Sequence, residues 1–278
     1  MRSILVPLEE SDMLASVLQT AAVAAQEWSS YLEGLYVRRE FAGTIPLDSG
    51  VPVLIEDLRR DEWDRVQRAH ALFNTVMGER NIPVDGRSGA SGPMAHFRAE
   101  TPPGEAFVAR HARLFDLTVL GQPARGMAAP RITTIEAVLF ESGRPLLLAP
   151  PLPPKRLGES VVIAWNGSTE TARTLAVARP ILERARRVVV LSVEGGMVDG
   201  PDGDDVVRSL DRTGIVAQAR HVPQHHGTGE TILEETRALG GDFIIKGAYT
   251  RSRLRQMIFG GATRVILEMA QVPVFMAH

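Results

Sequence analysis

The chain has 278 residues, 44% of them hydrophobic and 23% charged, with a formal net charge of −2 and an isoelectric point near 6.4. That composition describes a globular protein with room for one large core or two modest ones, and it gives no electrostatic reason to expect nucleic acid or an anionic membrane as partner. The absence of cysteine excludes disulfides, thiolate metal sites and a cysteine nucleophile.

The first residues, Met1-Arg-Ser-Ile-Leu-Val-Pro-Leu-Glu-Glu10, have too short an apolar run before Pro7, and too many acids, for a signal peptide. No apolar stretch reaches membrane-spanning length, so a cytoplasmic location is expected. Residues 3–8 read as a strand, and Ser11 is placed to cap the helix that follows. Leu14, Val17, Leu18, Ala21, Ala22 and Ala25 then fall at helical spacing. Further strands are expected at 31–37, 82–86, 117–120 and 145–149. The segment Pro150-Pro-Leu-Pro-Pro-Lys-Arg-Leu-Gly158 favours an extended, semi-rigid connection. It separates an expected domain at 1–150 from a second at 158–278, with 151–157 as the linker.

Beyond the linker the pattern repeats. Val161-Val-Ile-Ala-Trp-Asn-Gly-Ser168 matches Ile4-Leu-Val-Pro-Leu-Glu-Glu-Ser11 as a β-rich run ending in a polar turn and a serine. The run from Gly104 through Asp116 to Gly121 matches the run from Gly229 through Asp242 to Gly247, each reading as helix, aspartate, buried strand and glycine. Arg144-Pro-Leu-Leu-Leu-Ala149 matches Val272-Pro-Val-Phe-Met-Ala277. Strands are expected at 160–165, 188–193, 215–222, 243–246 and 273–277, and Ala262, Val265, Ile266 and Met269 recur at helical spacing. Apolar strands alternating with helices predict parallel sheets covered on both faces.

The stretch Asp242-Phe-Ile-Ile-Lys-Gly247 followed by Gly260-Gly-Ala-Thr263 carries the chemistry. A strand, a glycine-started loop and a glycine pair opening a helix offer unpaired backbone N–H groups, a partial positive charge and close backbone approach, which suits a phosphate. Lys246 ends an otherwise buried strand and calls for a phosphate, a salt bridge or solvent. Arg251, Arg253, Arg255 and Arg264 form a basic cluster that reads either as phosphate clamps or as a solvated surface. His221, His225 and His226 are close in sequence but lack a carboxylate in a metal-binding pattern, and Trp165 reads as core packing before base stacking. Gly227-Thr-Gly229 imitates a dinucleotide fingerprint without its third glycine, and the P-loop and nucleophile-elbow patterns are missing.

Taken together, Trp165-Asn-Gly-Ser168, Gly247-Ala-Tyr-Thr-Arg-Ser-Arg-Leu-Arg255, Phe259-Gly-Gly-Ala-Thr-Arg264 and the closing Val272-Pro-Val-Phe-Met276 resemble a tandem universal stress protein. The resemblance spans the chain and is strongest over 158–278. It implies an α/β fold of two doubly wound, open parallel five-stranded sheets with strand order 3-2-1-4-5. It also implies a site for ATP or AMP, with Mg²⁺ only alongside ATP. On the family's Gly-x-x-Gly-x9-Gly-(Ser/Thr) pattern, Gly247 and Gly260 stand at the first and third glycines, whereas Thr250 replaces the second and Gly261 the Ser/Thr. Asn166 replaces the aspartate that ends the first strand. The implied binding set is Asn166, Gly167, Ser168, Val193, Lys246, Gly247, Thr250, Arg251, Gly260, Gly261, Ala262 and Thr263.

In the first copy, Glu9 and Glu10 stand where Asn166 and Gly167 stand in the second, and Gly121-Gln-Pro123 opens a loop with no later glycine pair. Carboxylates there disfavour an anionic ligand, so any nucleotide is expected in the second half alone. The final strands are expected to be edges free to pair, giving a pseudo-dimer within the chain, and the resemblance adds a homodimer. No base or nucleophile stands in a recognisable arrangement, which leaves at most weak ATP hydrolysis. A nucleotide-free scaffold acting through dimerisation is the alternative.

Overall fold

The protein is described from a computed structural model over residues 1–38, 51–85, 92–123, 132–248 and 261–278. The first half runs β1 (Ser3–Leu8), α1 (Leu14–Trp28), β2 (Tyr31–Tyr36), α2 (Val51–Glu79), β3 (Met94–Arg98), α3 (Glu105–Ala112), β4 (Leu117–Gly121), α4 (Ile132–Glu141) and β5 (Leu146–Ala149). The second half runs β6 (Ser160–Ala164), α5 (Thr169–Leu182), β7 (Arg187–Val193), α6 (Gly203–Asp211), β8 (Gln218–Val222), α7 (Thr228–Ala238), β9 (Phe243–Gly247), α8 (Gly261–Met269) and β10 (Val274–Ala277).

The strands line up as β3-β2-β1-β4-β5-β10-β9-β6-β7-β8. Each half therefore has the expected order 3-2-1-4-5, and its strands pair in parallel. The expectation of two sheets needs one amendment. β5 and β10 pair antiparallel, with Phe275 opposite Leu147, and merge the two five-stranded blocks into one ten-stranded sheet. The copies are not interleaved, and the two final strands use the edges expected of them.

Both faces of the sheet are covered. Ile4, Val6, Val161 and Ile163 join α1, part of α2, α5 and α6 in one core cluster, while Leu5, Val162 and Ile244 join α3, α4, α7 and α8 in another. Burial on both faces is why these strands read as apolar runs with little alternation. The repeated aspartates lock each half in the same way. Asp116 Oδ2 accepts from the N–H groups of Arg2 and Ser3 at 2.6 and 3.2 Å, and Asp242 accepts from Ser160 and Glu159 at 2.9 and 3.1 Å. Each carboxylate thus ties the start of its fourth strand to the start of its first.

Two local expectations fail. Residues 82–86 do not form the third strand, which is Met94–Arg98. Pro83 has no N–H to give a ladder, so its segment lies along the edge of β3, with Val84 making a single bridge to Ala95. Met94-Ala-His-Phe-Arg98 lacks the apolar run that marks the other strands. Ser11 also does not cap α1, whose N-cap is Met13 without a side-chain bond, whereas Ser168 Oγ does cap α5 by accepting from Thr171 N.

One polar cluster breaks the apolar pattern of β2. Glu33 is buried between β2 and α3, with Tyr31 donating its hydroxyl to Oε2 at 3.1 Å and His111 Nε2 lying 2.7 Å from Oε1. Phe107 stacks on His111 with centroids 5.6 Å apart. Burial and the neighbouring Glu33 carboxylate push the Tyr31 phenol well above its usual range.

Candidate functional site

The site builds from the carboxyl ends of β6 and β9, neighbours at the point where strand order reverses in the second half. After β6 the chain turns through Asn166 and Gly167. Asn166 Oδ1 accepts from Thr171 Oγ1 at 2.6 Å and from Ser168 N at 3.2 Å, so its side chain is committed to the start of α5. Gly167 has φ +83°, and a Cβ there would lie 2.9 Å from Val198 O. The same 198–201 loop donates Val198 N to Asn166 O at 2.9 Å and accepts from Trp165 Nε1 at Pro201 O, 2.8 Å. Trp165 is buried, and its ring serves packing as expected; Val193, at the end of β7, is buried too.

On the other side of the crevice, Gly247 lets α5 approach β9. A Cβ on it would sit 2.4 Å from Thr171 N and 2.7 Å from the Glu170 carbonyl carbon. Its openness is used by the chain's own backbone. Gly261, the first residue of α8, has no described residue within 4 Å of where a Cβ would stand, so among the described residues this helix start keeps an open approach. Ala262 packs toward α7, since a Cβ on Gly229 would lie 2.8 Å from Ala262 O. Thr250, Arg251 and Gly260, with Arg253 and Arg255, lie outside the described residues.

Among the described residues, Lys246 meets no carboxylate. Its ammonium is buried and donates to Gly247 O at 2.8 Å and to Thr263 Oγ1, in the first turn of α8, at 2.9 Å. Burial pushes its pKa down to about 8. Of the remaining basic cluster, Arg264 pairs with Glu268 at 2.8 Å on a solvated helix face. His221 bonds Asp204 at 3.0 Å, and no group of three His, Asp or Glu side chains among the described residues can hold a metal ion.

The matching end of the first half has the opposite charge. Glu9 is buried and accepts a hydrogen bond from Thr134 Oγ1 in the first turn of α4, and Glu10 pairs with Arg65 and Arg68 of α2 at 3.2 and 3.3 Å. In both halves, then, a threonine of the last helix holds an ionisable group at the strand ends. Thr134, Thr171 and the 198–201 loop escaped the sequence reading. Thr171 alone carried a local signal, standing three residues after the capping Ser168.

No protein-family profile and no curated protein matches the chain. Solved structures do. A universal stress protein from Archaeoglobus fulgidus DSM 4304 superimposes with a TM-score of 0.71 at 14% identity, over 99% of this chain and 97% of that one. A functionally unknown protein from Pseudomonas aeruginosa PAO1 gives 0.55 at 15% identity, covering 100% and 92%. A putative universal stress protein from Pseudomonas aeruginosa UCBPP-PA14 gives 0.53 at 13% identity, covering 100% and 93%. Identities this low speak for architecture alone, and on that ground the chain is a tandem protein with the universal stress protein fold.

Proposed function

We propose that this is a non-catalytic, cytoplasmic stress-response protein of two domains, 1–150 and 158–278, that binds ATP or AMP in the second. The phosphates lie against the start of α8, with Lys246 and Thr263 behind them. The observation that carries this reading is the buried Lys246 ammonium. A cation held, among the described residues, by a carbonyl and a hydroxyl alone has an unmet demand for negative charge, and it sits beside a helix start that those residues leave open at the topological switch point. In the first half the buried Glu9 carboxylate disfavours the same ligand. Among the described residues no helix is long and apolar enough to cross a membrane.

Calorimetric titration with ATP and AMP tests the proposal. Binding to the wild type, at least tenfold weaker in Lys246→Met, is the expected result, and no heat with either nucleotide defeats it. Affinity should also fall as pH rises through about 8, where the ammonium loses its proton. If Mg²⁺ accompanies ATP, chelation should weaken ATP and leave AMP unchanged.

The same substitution should stabilise the empty protein by roughly 1–3 kcal/mol at neutral pH, because methionine removes a buried charge while keeping its volume. The sign follows from proton counts. The folded-state pKa of about 8 lies below the ordinary 10.5, so between these values the unfolded chain holds a proton that the folded chain has lost. Lys246 therefore opposes folding fully below pH 8 and progressively less above it, and the advantage of Lys246→Met in denaturant melts should shrink across that window.

A scaffold without nucleotide is the second reading. It is favoured by the crevice glycines, since Gly167 and Gly247 are both filled against by the chain's own backbone. Silent titrations together with a homodimer in sedimentation would support it.

A further inference from the structure

At the amino-terminal end of β9, away from the crevice, α7, Gly241 and the α8–β10 connection line a half-open cavity of about 150 Å³. Leu233, Ile244, Met269 and Val272 supply apolar walls, and Arg237 stands at the mouth.

The two halves differ just before the aspartate that opens the fourth strand of each. The first half places Phe115 directly before Asp116, whereas the second places Gly240-Gly241 before Asp242. Phe115 is buried, stacked with Tyr31 of β2 at 6.5 Å and tilted against His111 at 5.3 Å, so its ring lies between α3 and β2. Arg113 closes that half further by donating from Nε to Glu141 O at 3.1 Å, just past α3. Gly241 cannot take a side chain as it stands, for a Cβ would lie 2.9 Å from both Thr236 Cγ2 and Val162 Cγ2.

The mouth is cationic. Arg237 is exposed and, among the described residues, pairs with no carboxylate; Glu235, two positions earlier, is taken by Arg220 at 2.6 Å. A guanidinium offers a planar fork of donors matched to a carboxylate, and a pocket of roughly this volume has room for a six-membered ring.

We propose that this cavity binds a small carboxylic acid with an apolar body the size of one ring, the body between α7 and α8 and the carboxylate on Arg237. The site is separate from the strand-end crevice, so nucleotide binding has no bearing on it. Titration with benzoate, followed by amide chemical shifts, tests it, with the uncharged benzamide as control. Saturable shifts centred on Leu233, Gly241 and Ile244 are expected, with benzamide at least tenfold weaker. Arg237→Gln should weaken benzoate at least tenfold and leave benzamide unchanged, and as an exposed substitution it keeps the fold. Leu233→Trp should remove both by filling the space. Shifts that do not saturate, shifts centred elsewhere, or equal benzoate affinity in Arg237→Gln would each overturn the proposal.

Discussion

Replacing His111 by alanine is expected to cost about 3 kcal/mol of folding stability, because it leaves the Glu33 carboxylate buried with one of its two partners gone. Among the described residues, Tyr31 Oη alone would remain on that carboxylate, 3.1 Å from Oε2. Part of the loss is packing, since the imidazole also stacks on Phe107 and tilts against Phe115. A double-mutant cycle separates the two contributions. Glu33→Leu with His111→Leu removes both buried polar groups while keeping apolar bulk, and should recover most of the loss in urea melts. A double variant no more stable than His111→Ala would show that the pair contributes packing and little electrostatic dependence.

Gly247→Ala should be at least as severe, at about 3 kcal/mol or more. The atoms an added methyl would meet, at 2.4, 2.7 and 2.8 Å, are all backbone of Glu170 and Thr171, which have no rotamer into which to retreat. Relief requires moving the first turn of α5, which carries the Ser168 cap and the Thr171 bond to Asn166. Gly261→Ala is the internal control, because its methyl would meet none of the described residues within 4 Å, and its melting should stay close to wild type. Calorimetric melts in which the two variants behave alike would show that the helix–strand contact yields easily.

Strand order was accessible because each half repeats short apolar runs between helical periods, and the matching runs around Asp116 and Asp242, one residue longer in the second half, align the two halves. The third strand was not, because Met94-Ala-His-Phe-Arg98 at a sheet edge has no second face to bury, while Ile82-Pro-Val84 imitates a buried run. At the site, Gly247 reads as a place where a ligand could approach the backbone, whereas in the structure the chain's own backbone comes close to both Gly167 and Gly247. Val198 and Thr171 are distant in the chain from the glycines they fill. Lys246 was recognisable as an anomaly for its strand, yet its acceptors depend on Thr263 arriving from the next helix.

The antiparallel seam of Leu146–Ala149 on Val274–Ala277 has a consequence for how such a protein behaves at low copy number. Edge strands of separate subunits find each other at a rate set by abundance, and dilution parts them. Here both edges belong to one polypeptide, so their effective concentration is fixed by the intervening chain and stays constant at any expression level. A covalent pair also frees each copy from obeying the other's sequence. A homodimer must present two identical strand ends, whereas this chain places a carboxylate, Glu9, at one and an ammonium, Lys246, at the other.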